Sequence, residues 1–419
     1  MASAAQARLD ESIEMDLCPA FGSASEAAVA RAVTRPEDIA LDIHDALAPI
    51  EQMWRAFEQT ADCTAFQTFE WLATWQHHIG ALEGAQPAVV VGRDPGGDIL
   101  FMLPLAVAKR GYGRELTFLG SDLCDYNAPL LAPDFARVMP QALALMRRAF
   151  DAVQARFAYD LVRLEKMPET VGAQANPLVK LPVMLHPSGA YLTPLAADWE
   201  EFYREKRSTS TRQRDRAKRK KLAKFGEVQI VHPKRDDDIV TTLDTLMTQK
   251  GRAFARMGVA NIFTKPGHRE FYRAMATGPA TRSLAHVSRL QVGDETAAVN
   301  LGLTFRDRYY YVLASYGDGE MSRFGPGAAH LRDLMQYAIG RGFRIFDFTV
   351  GDEPYKREWC DESLLYDHIA GADDLTKTRA FITRDEKQGV RHRARSATAR
   401  RRHSSPGYSS SDRGRSARD

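Results

Sequence analysis

QVGDETAAVNLGLTFRDRYYYVLASYGDGEMSRFGPGAAHLRDLMQYAIGRGFRIFDFTVGDE, residues 291–353, decides the fold. Gly293-Asp294 and Arg306-Asp307-Arg308 separate three apolar runs, the last being Tyr309-Tyr310-Tyr311-Val312-Leu313. Those runs read as strands joined by tight turns. Gly325-Pro326-Gly327 then opens a helix with Leu331, Leu334, Met335 and Ala338 on one face. Gly340 and Gly342 stop it, and Phe343 to Phe348 reads as the next strand. A glycine loop between strand and helix leaves backbone N–H groups at the positive end of the helix dipole, a geometry that suits a pyrophosphate.

Working outward, the same order recurs earlier. Ala88 to Val91, a turn at Asp94 to Asp98, Ile99 to Leu105, Leu116 to Leu119, a helix over Phe135 to Phe157, and Tyr159 to Leu164 repeat strand, turn, strand, strand, loop, helix, strand. The chain reads as two copies of one α/β unit. The first copy has Asp122 to Leu130 where the second has its glycine loop, and its bulky side chains and proline hinder close approach to a phosphate. A phosphorylated cofactor is therefore expected on the second copy. Upstream of the first, Trp54, Phe66, Trp71 and Trp75 fall in a helical stretch over Glu51 to Ile79.

The chain has 419 residues, enough for two or three domains. We expect a leader over 1–36, a first domain over 37–194, a second over 195–385 and a basic, disordered tail over 386–419. The tail holds ten Lys/Arg and three Asp/Glu, so it carries +7 of a net +3 and the rest sums to −4. Arg- and Ser-rich sequence with few apolar residues does not fold. No apolar run reaches the ~20 residues of a membrane-spanning helix. The start lacks a basic-then-apolar signal, and Cys18, Cys63, Cys124 and Cys360 form no C-x-x-C pair, which points to a reducing cytoplasm and away from a zinc ribbon. His77-His78 has no third partner at ligand spacing, so no metal is expected.

Between the copies, Tyr203 to Lys224 reads as one highly basic helix. It suits an anionic membrane surface, an acidic glycan or a nucleic acid, or it is a solvated face; the lack of interleaved aromatics argues against specific nucleic-acid binding. A peripheral place at the inner membrane, through this helix or the tail, is compatible with it.

Phe66-Gln67 with Glu70-Trp71, Leu103-Pro104-Leu105, Gly120-Ser121 with Asp125-Tyr126-Asn127, Lys250 with Arg252, Gly325-Pro326-Gly327, and Phe346-Asp347-Phe348 through Gly351-Asp352-Glu353-Pro354-Tyr355-Lys356 follow in order. Together they resemble the GNAT-type acetyltransferases of the CelD-like branch, named after a cellulose-biosynthesis protein and related to the FemAB peptidyltransferases. The resemblance covers about Trp54 to Trp359. It implies an α/β (α+β) architecture of tandem GNAT-like N-acyltransferase folds, mixed sheets flanked by helices, with acetyl-CoA or another acyl-CoA in the second. Such enzymes cradle the pyrophosphate with Gln/Arg-x-x-Gly-x-Gly/Ala. The aligned hexad here is Ser322-Arg323-Phe324-Gly325-Pro326-Gly327, with Ser first and Arg one place late.

The expected cofactor contacts are the amides of Gly327, Ala328 and Ala329 beside Gly325, with Arg323 adding charge. Asp347, on an apolar strand, is either a desolvated general base or a structural carboxylate. Tyr355 is expected to protonate the leaving thiolate, and Lys356 to polarise the thioester or pair with Asp352. Asp125, Tyr126 and Asn127 are expected to line an acceptor pocket between the domains, Lys250 and Arg252 to reach an anionic acceptor or the cofactor phosphates, and Asp352, with Glu353 just past the strand end, to contact the substrate or to form a solvated turn. The resemblance places the oxyanion against backbone N–H groups near Ala314 to Tyr316. The expected reaction is acyl transfer from coenzyme A to an amine or hydroxyl of a small molecule, glycan or lipid of the cell envelope. The alternatives are FemAB-like aminoacyl transfer to an envelope precursor, against which the second half shows no long helical arm, and a non-catalytic polyanion-binding scaffold.

Overall fold

The computed structural model describes residues 32–372 apart from Tyr112, Ser121 and Asp361. The expected tail and nearly all of the leader lie outside the described residues.

After an opening strand, Ala40–His44, the repeated plan of the first unit starts at the hairpin of β1 (Val89–Arg93) and β2 (Ile99–Leu103), turned at Gly97 with φ +92°; the opening strand pairs antiparallel with β1. Pro104, which has no N–H for a ladder, then breaks the strand, so that β2 pairs in one sheet and β3 (Leu105–Arg110) in another. After β4 (Gly113–Phe118), helix α1 (Ala142–Arg156) buries Leu145, Met146, Ala149, Phe150 and Val153 at helical spacing and leads into β5 (Leu161–Pro168), parallel to β4. The single helix expected over Phe135 to Phe157 is two, Phe135–Val138 and α1, because Pro140 removes a helix N–H. The expected Glu51 to Ile79 helix is likewise split into Glu51–Glu58 and Phe69–Trp75, the second capped by Thr68.

The second unit repeats the plan. It starts with β6 (Ala190–Pro194), then α2 (Trp199–Lys206) and α3 (Thr209–Leu222). The basic stretch is therefore not one helix. Ser208 leaves helical geometry and caps α3 by accepting a hydrogen bond from the Thr211 amide at 3.2 Å. Next come β7 (Val228–Val231), the 22-residue helix α4 (Asp236–Met257) ended by Gly258 at φ +67°, and the antiparallel meander β8 (Ala285–Val292), β9 (Glu295–Phe305), β10 (Arg308–Tyr316). Helix α5 (Pro326–Gly340) crosses to β11 (Ile345–Val350), parallel to β10. The last described strand is β12 (Leu365–Gly371).

The two units are interlocked. β6, which follows the first unit, pairs with β11 in the second sheet, ordered β7-β8-β9-β10-β11-β6 with the two-residue strand Glu362–Ser363 beyond β6. β12, which follows the second unit, pairs with β5 in the first, beside β4 and β3. A cut at residue 194 or 364 thus strips a strand from the opposite unit.

Alternation along the strands puts Tyr310 in the cluster that holds Leu243, Leu246 and Met247 of α4. Tyr309 and Tyr311 sit with Leu331, Leu334 and Met335 of α5. Helices α4 and α5 therefore cover opposite faces of the second sheet. Among the described residues no helix is long and apolar enough to cross a membrane.

Candidate active site

Strands β10 and β11 stay paired only at Arg308–Ile345, Tyr309–Phe346 and Tyr310–Asp347. Past that point they splay. The cause lies in β11, where the register against β6 slips at Phe348 and Thr349 takes φ +58°. A bulge of this kind bends its strand and re-aims the side chains beside it. The opening is a cleft of about 460 Å³. Tyr311, Val312, Ala314, Ser315 and Tyr316 form one wall; Phe348, Thr349 and Val350 form the other. Gln249, Lys250 and Phe254 of α4 and Ala328, Leu331 and Arg332 of α5 also line it, so the slot passes between the two faces of the sheet.

Backbone N–H groups alternate along an antiparallel strand. Gly317 donates to the Ala297 carbonyl at 3.0 Å, toward β9. The Ala314 and Tyr316 amides, of opposite parity, face the splay.

At one end of the slot lies the glycine loop. Gly325 has φ +67°, a left-handed conformation that glycine adopts without penalty, and Pro326 occupies the first helical position. Gly327 and Ala328 line the cleft, and neither amide has a partner among the described hydrogen bonds. A Cβ on Gly327 would meet the Tyr316 ring at 3.1 Å. The Ala329 amide differs from expectation: it donates to the Gly325 carbonyl at 3.1 Å and is spent inside the helix. Arg323 also departs from its expected place, pairing with Glu320 and lying over Phe324 outside the cleft. The nearby cation comes from α3 instead, where Lys218 Nζ lies 3.9 Å from the Cβ position of Gly325.

Asp347 does not line the cleft. It is fully buried and accepts from Tyr126 Oη at 2.7 Å, Arg308 Nη1 at 3.1 Å and the Thr349 amide at 2.8 Å. Burial pushes its carboxyl up, while Arg308 and the other donors oppose this. A carboxylate so saturated with donors, with no route to substrate, is structural. Tyr126 is correspondingly buried and occupied. Asn127 is also structural: its amide donates to the Lys166 carbonyl at 3.1 Å and its side chain to the Glu165 carbonyl at 3.0 Å. Lys166 Nζ answers with a bond to the Cys124 carbonyl at 2.8 Å. This segment sits against β5 where β5 and β4 leave their own short parallel register, so the first unit fills with its own chain the place where the second opens. Asp125 alone of the three approaches the slot, close enough for Thr349 to influence it, and burial pushes its carboxyl up while Lys166 and Thr349 oppose this.

Tyr355 lines the cleft edge-on to Phe348, with ring centroids 6.3 Å apart. Burial, then Tyr311 and Glu353, holds its hydroxyl far above the ordinary tyrosine value, so it stays protonated. Lys356 is 3% exposed and also reaches the cleft. Its Nζ donates to the Val350 carbonyl at 2.9 Å and pairs with Glu353 at 3.0 Å, not with Asp352. Asp352 instead accepts from the Gly189 amide at 3.3 Å and Tyr191 Oη at 3.2 Å, fixing β6. Arg252 pairs with Asp318 at 3.3 Å away from the slot, whereas Lys250 lines it.

Three further side chains reach the cleft. Gln249 accepts from Ser315 Oγ at 2.8 Å and donates to the Thr296 carbonyl, pinning α4 to β10 and β9. Arg207, at the break between α2 and α3, lies 4.9 Å from the Trp359 ring centroid and pairs with Glu358. Arg332 pairs at 3.3 Å with Asp215, the one acid of α3. None has a local sequence signal; each is assembled by the fold.

Residues 209–357, which hold the glycine loop and most of the cleft wall, match the family model for the acetyltransferase (GNAT) domain. No curated protein sequence matches the chain. Among solved structures, the crystal structure of FemX aligns with 76% of this chain and 96% of its own at 12% identity and a TM-score of 0.53. The C-terminal domain of a putative lysylphosphatidylglycerol synthetase from Agrobacterium fabrum aligns with 79% of this chain and 94% of its own at 10% identity, TM-score 0.48. A tandem GNAT protein from the clavulanic acid biosynthesis pathway aligns with 80% and 98%, at 10% identity and TM-score 0.42. The likeness to FemX spans both units and is one of fold. Over residues 209–357 the chain carries a GNAT-type acetyltransferase domain.

Proposed function

We propose that the protein is an acyltransferase that moves an acetyl or longer acyl group from coenzyme A to an amine or hydroxyl acceptor. The observation that carries this reading is the slot between β10 and β11, with the unpartnered amides of Gly327 and Ala328 at one end. The donor's pyrophosphate lies on those amides and its thioester runs into the splay, where the Ala314 and Tyr316 amides receive the oxyanion. Tyr355, held protonated, gives its proton to the departing thiolate. The acceptor enters from the opposite face and attacks directly. Cys63 and Cys124 are buried and Cys360 does not line the cleft, so among the described residues no cysteine serves as an acyl carrier.

An envelope sugar, lipid or polysaccharide precursor is the acceptor class that the CelD-like resemblance suggests. The exposed cations Arg214, Arg216, Lys218 and Lys220 on α3 suit an anionic membrane surface beside the slot. Calorimetry with acetyl-CoA tests the donor: micromolar binding that Gly327→Trp abolishes supports it, and no heat with either protein defeats it. The likeness to FemX favours a second reading, aminoacyl transfer from tRNA. Co-purifying aminoacyl-tRNA, with no acetyl-CoA binding, would establish that one instead.

A further inference from the structure

The displacement of Asp347 from the cleft leaves the reaction without the base that its strand position suggested. An amine acceptor arrives as an ammonium and must lose a proton before or as it attacks, so the slot needs a proton acceptor on the acceptor's side.

Lys250 meets that need by position. It lies on α4, across the sheet from the glycine loop, next to Gln249, whose bond to Ser315 fixes this turn of helix against the strand carrying the oxyanion amides. Its neighbours in the slot are Glu353 and Lys356 from the loop after β11, and Asp125 from the first unit. Glu353 is already engaged by Lys356 at 3.0 Å. Among the described residues, Lys250 Nζ has no hydrogen-bond or ion-pair partner; it lies 5.5 Å from the Phe254 ring centroid. A half-buried lysine left without a partner in a reactive cleft is better accommodated neutral than charged.

We propose that Lys250 is the general base of the transfer. The proposal rests on the acyl-thioester reading of the cleft. For an amine acceptor, Lys250 Nζ takes the ammonium proton and passes it to solvent; the freed lone pair attacks the thioester carbonyl carbon, and Lys250 Nζ then takes the second proton that the nitrogen sheds. As the carbon–nitrogen bond forms, the carbon–sulfur bond breaks, and the sulfur leaves with the Tyr355 proton. The products are an amide and free thiol, and solvent carries the Lys250 proton back to Tyr355. A lysine whose pKa lies below that of an alkylammonium accepts the proton readily once the nitrogen's bond to carbon has begun to form. Burial, the largest influence, draws the Lys250 pKa below the ordinary lysine value; Glu353 and Asp125 push it up, and Lys356 pushes it down. That shift raises the neutral fraction at physiological pH.

The test has two arms on the full chain. In the first, lysines are ¹³C-methylated and titrated by NMR, with Lys250→Arg assigning the resonance. A resonance titrating below the bulk lysines supports the proposal; one titrating with them overturns it, whether or not the protein binds acyl-CoA. In the second, thiol release from acetyl-CoA is followed with n-propylamine as acceptor probe, and acetyl-CoA affinity is measured separately. Lys250→Arg and Lys250→Gln are expected to lower kcat about 100-fold, with acetyl-CoA affinity kept, and to remove the acid limb of the kcat/KM profile. Retained kcat with an unchanged acid limb overturns the assignment, as does mass-spectrometric acetylation of Lys250 itself. Loss of acetyl-CoA binding by the unmodified protein, with Lys250 still titrating low, would defeat the donor reading alone.

Discussion

Tyr126 and Asp347, 221 residues apart in sequence, meet at 2.7 Å, the hydroxyl of the first unit donating to the carboxylate of the second. Arg308 and the Thr349 amide hold the rest of that carboxylate, so one buried oxygen cluster ties the interface to the bulge that opens the cleft. Tyr126→Phe deletes a hydrogen bond to a buried charge and is expected to cost about 2 kcal/mol. Asp347→Ala strands Arg308 and is expected to cost about 3–5 kcal/mol. Urea unfolding followed by tryptophan fluorescence measures both. The expected sign of a structural role is that folded Tyr126→Phe keeps its pH–rate profile; a shifted profile would return Asp347 to the chemistry.

Gly327 is the sharpest probe of the donor site. Any Cβ there meets Tyr316 at 3.1 Å and stands over the free amides. Gly327→Val is expected to weaken acetyl-CoA binding at least tenfold in calorimetry, with melting temperature little changed. Gly325→Ala acts otherwise. It forces a φ of +67° on an alanine, costing about 1–2 kcal/mol of stability.

The glycine loop, the three-strand meander, the crossover helix and the doubled α/β plan were legible because each has a local signature: turn residues, alternation, or helical spacing. The splay was not, because it depends on a one-residue slip at Phe348 that only the pairing with β6 reveals. Asp347 misled for a related reason. A carboxylate on an apolar strand must have a partner, but sequence does not name a tyrosine 221 residues away. Arg207 and Arg332 reach the cleft through Asp215, Glu358 and Trp359, contacts that exist only once α2, α3 and α5 have packed.

The strand exchange makes a truncation informative. β12 buries Leu365, Ile369 and Ala370 in the first unit, and Asp367 there accepts from the Lys166 amide at 2.9 Å and contacts His186. A chain ended at residue 364 keeps every cleft residue yet leaves β5 an unpaired edge. It is expected to lose cooperative unfolding of the first unit, measured by hydrogen exchange of β5. A truncated chain with full β5 protection would show that the exchange contributes little.

Acid should expose a second buried network. His286 lies between His232 Nδ1 at 3.0 Å and Tyr309 Oη at 2.9 Å, stacked on Tyr337. Tyr309 donates to Asn300 Oδ1 at 2.8 Å, so its oxygen accepts from His286 Nδ1–H, and His286 Nε2 is the acceptor for His232. This places a neutral ring on the network. Burial, with His232 and Arg341 adding to it, pulls the His286 pKa down to about 3, and burial does the same for His330, whose Nε2 meets Ser288 Oγ at 3.0 Å. Because the folded pKa lies below the unfolded value near 6.5, the unfolded chain binds more protons between the two. The stability these rings contribute is complete above about pH 6.5 and falls as pH drops toward about 3. Unfolding free energy measured from pH 7 to pH 4 is expected to fall, and His286→Gln, which is neutral throughout, is expected to flatten part of that slope. An unchanged slope in His286→Gln would mean that the ring titrates normally and is not sealed from water.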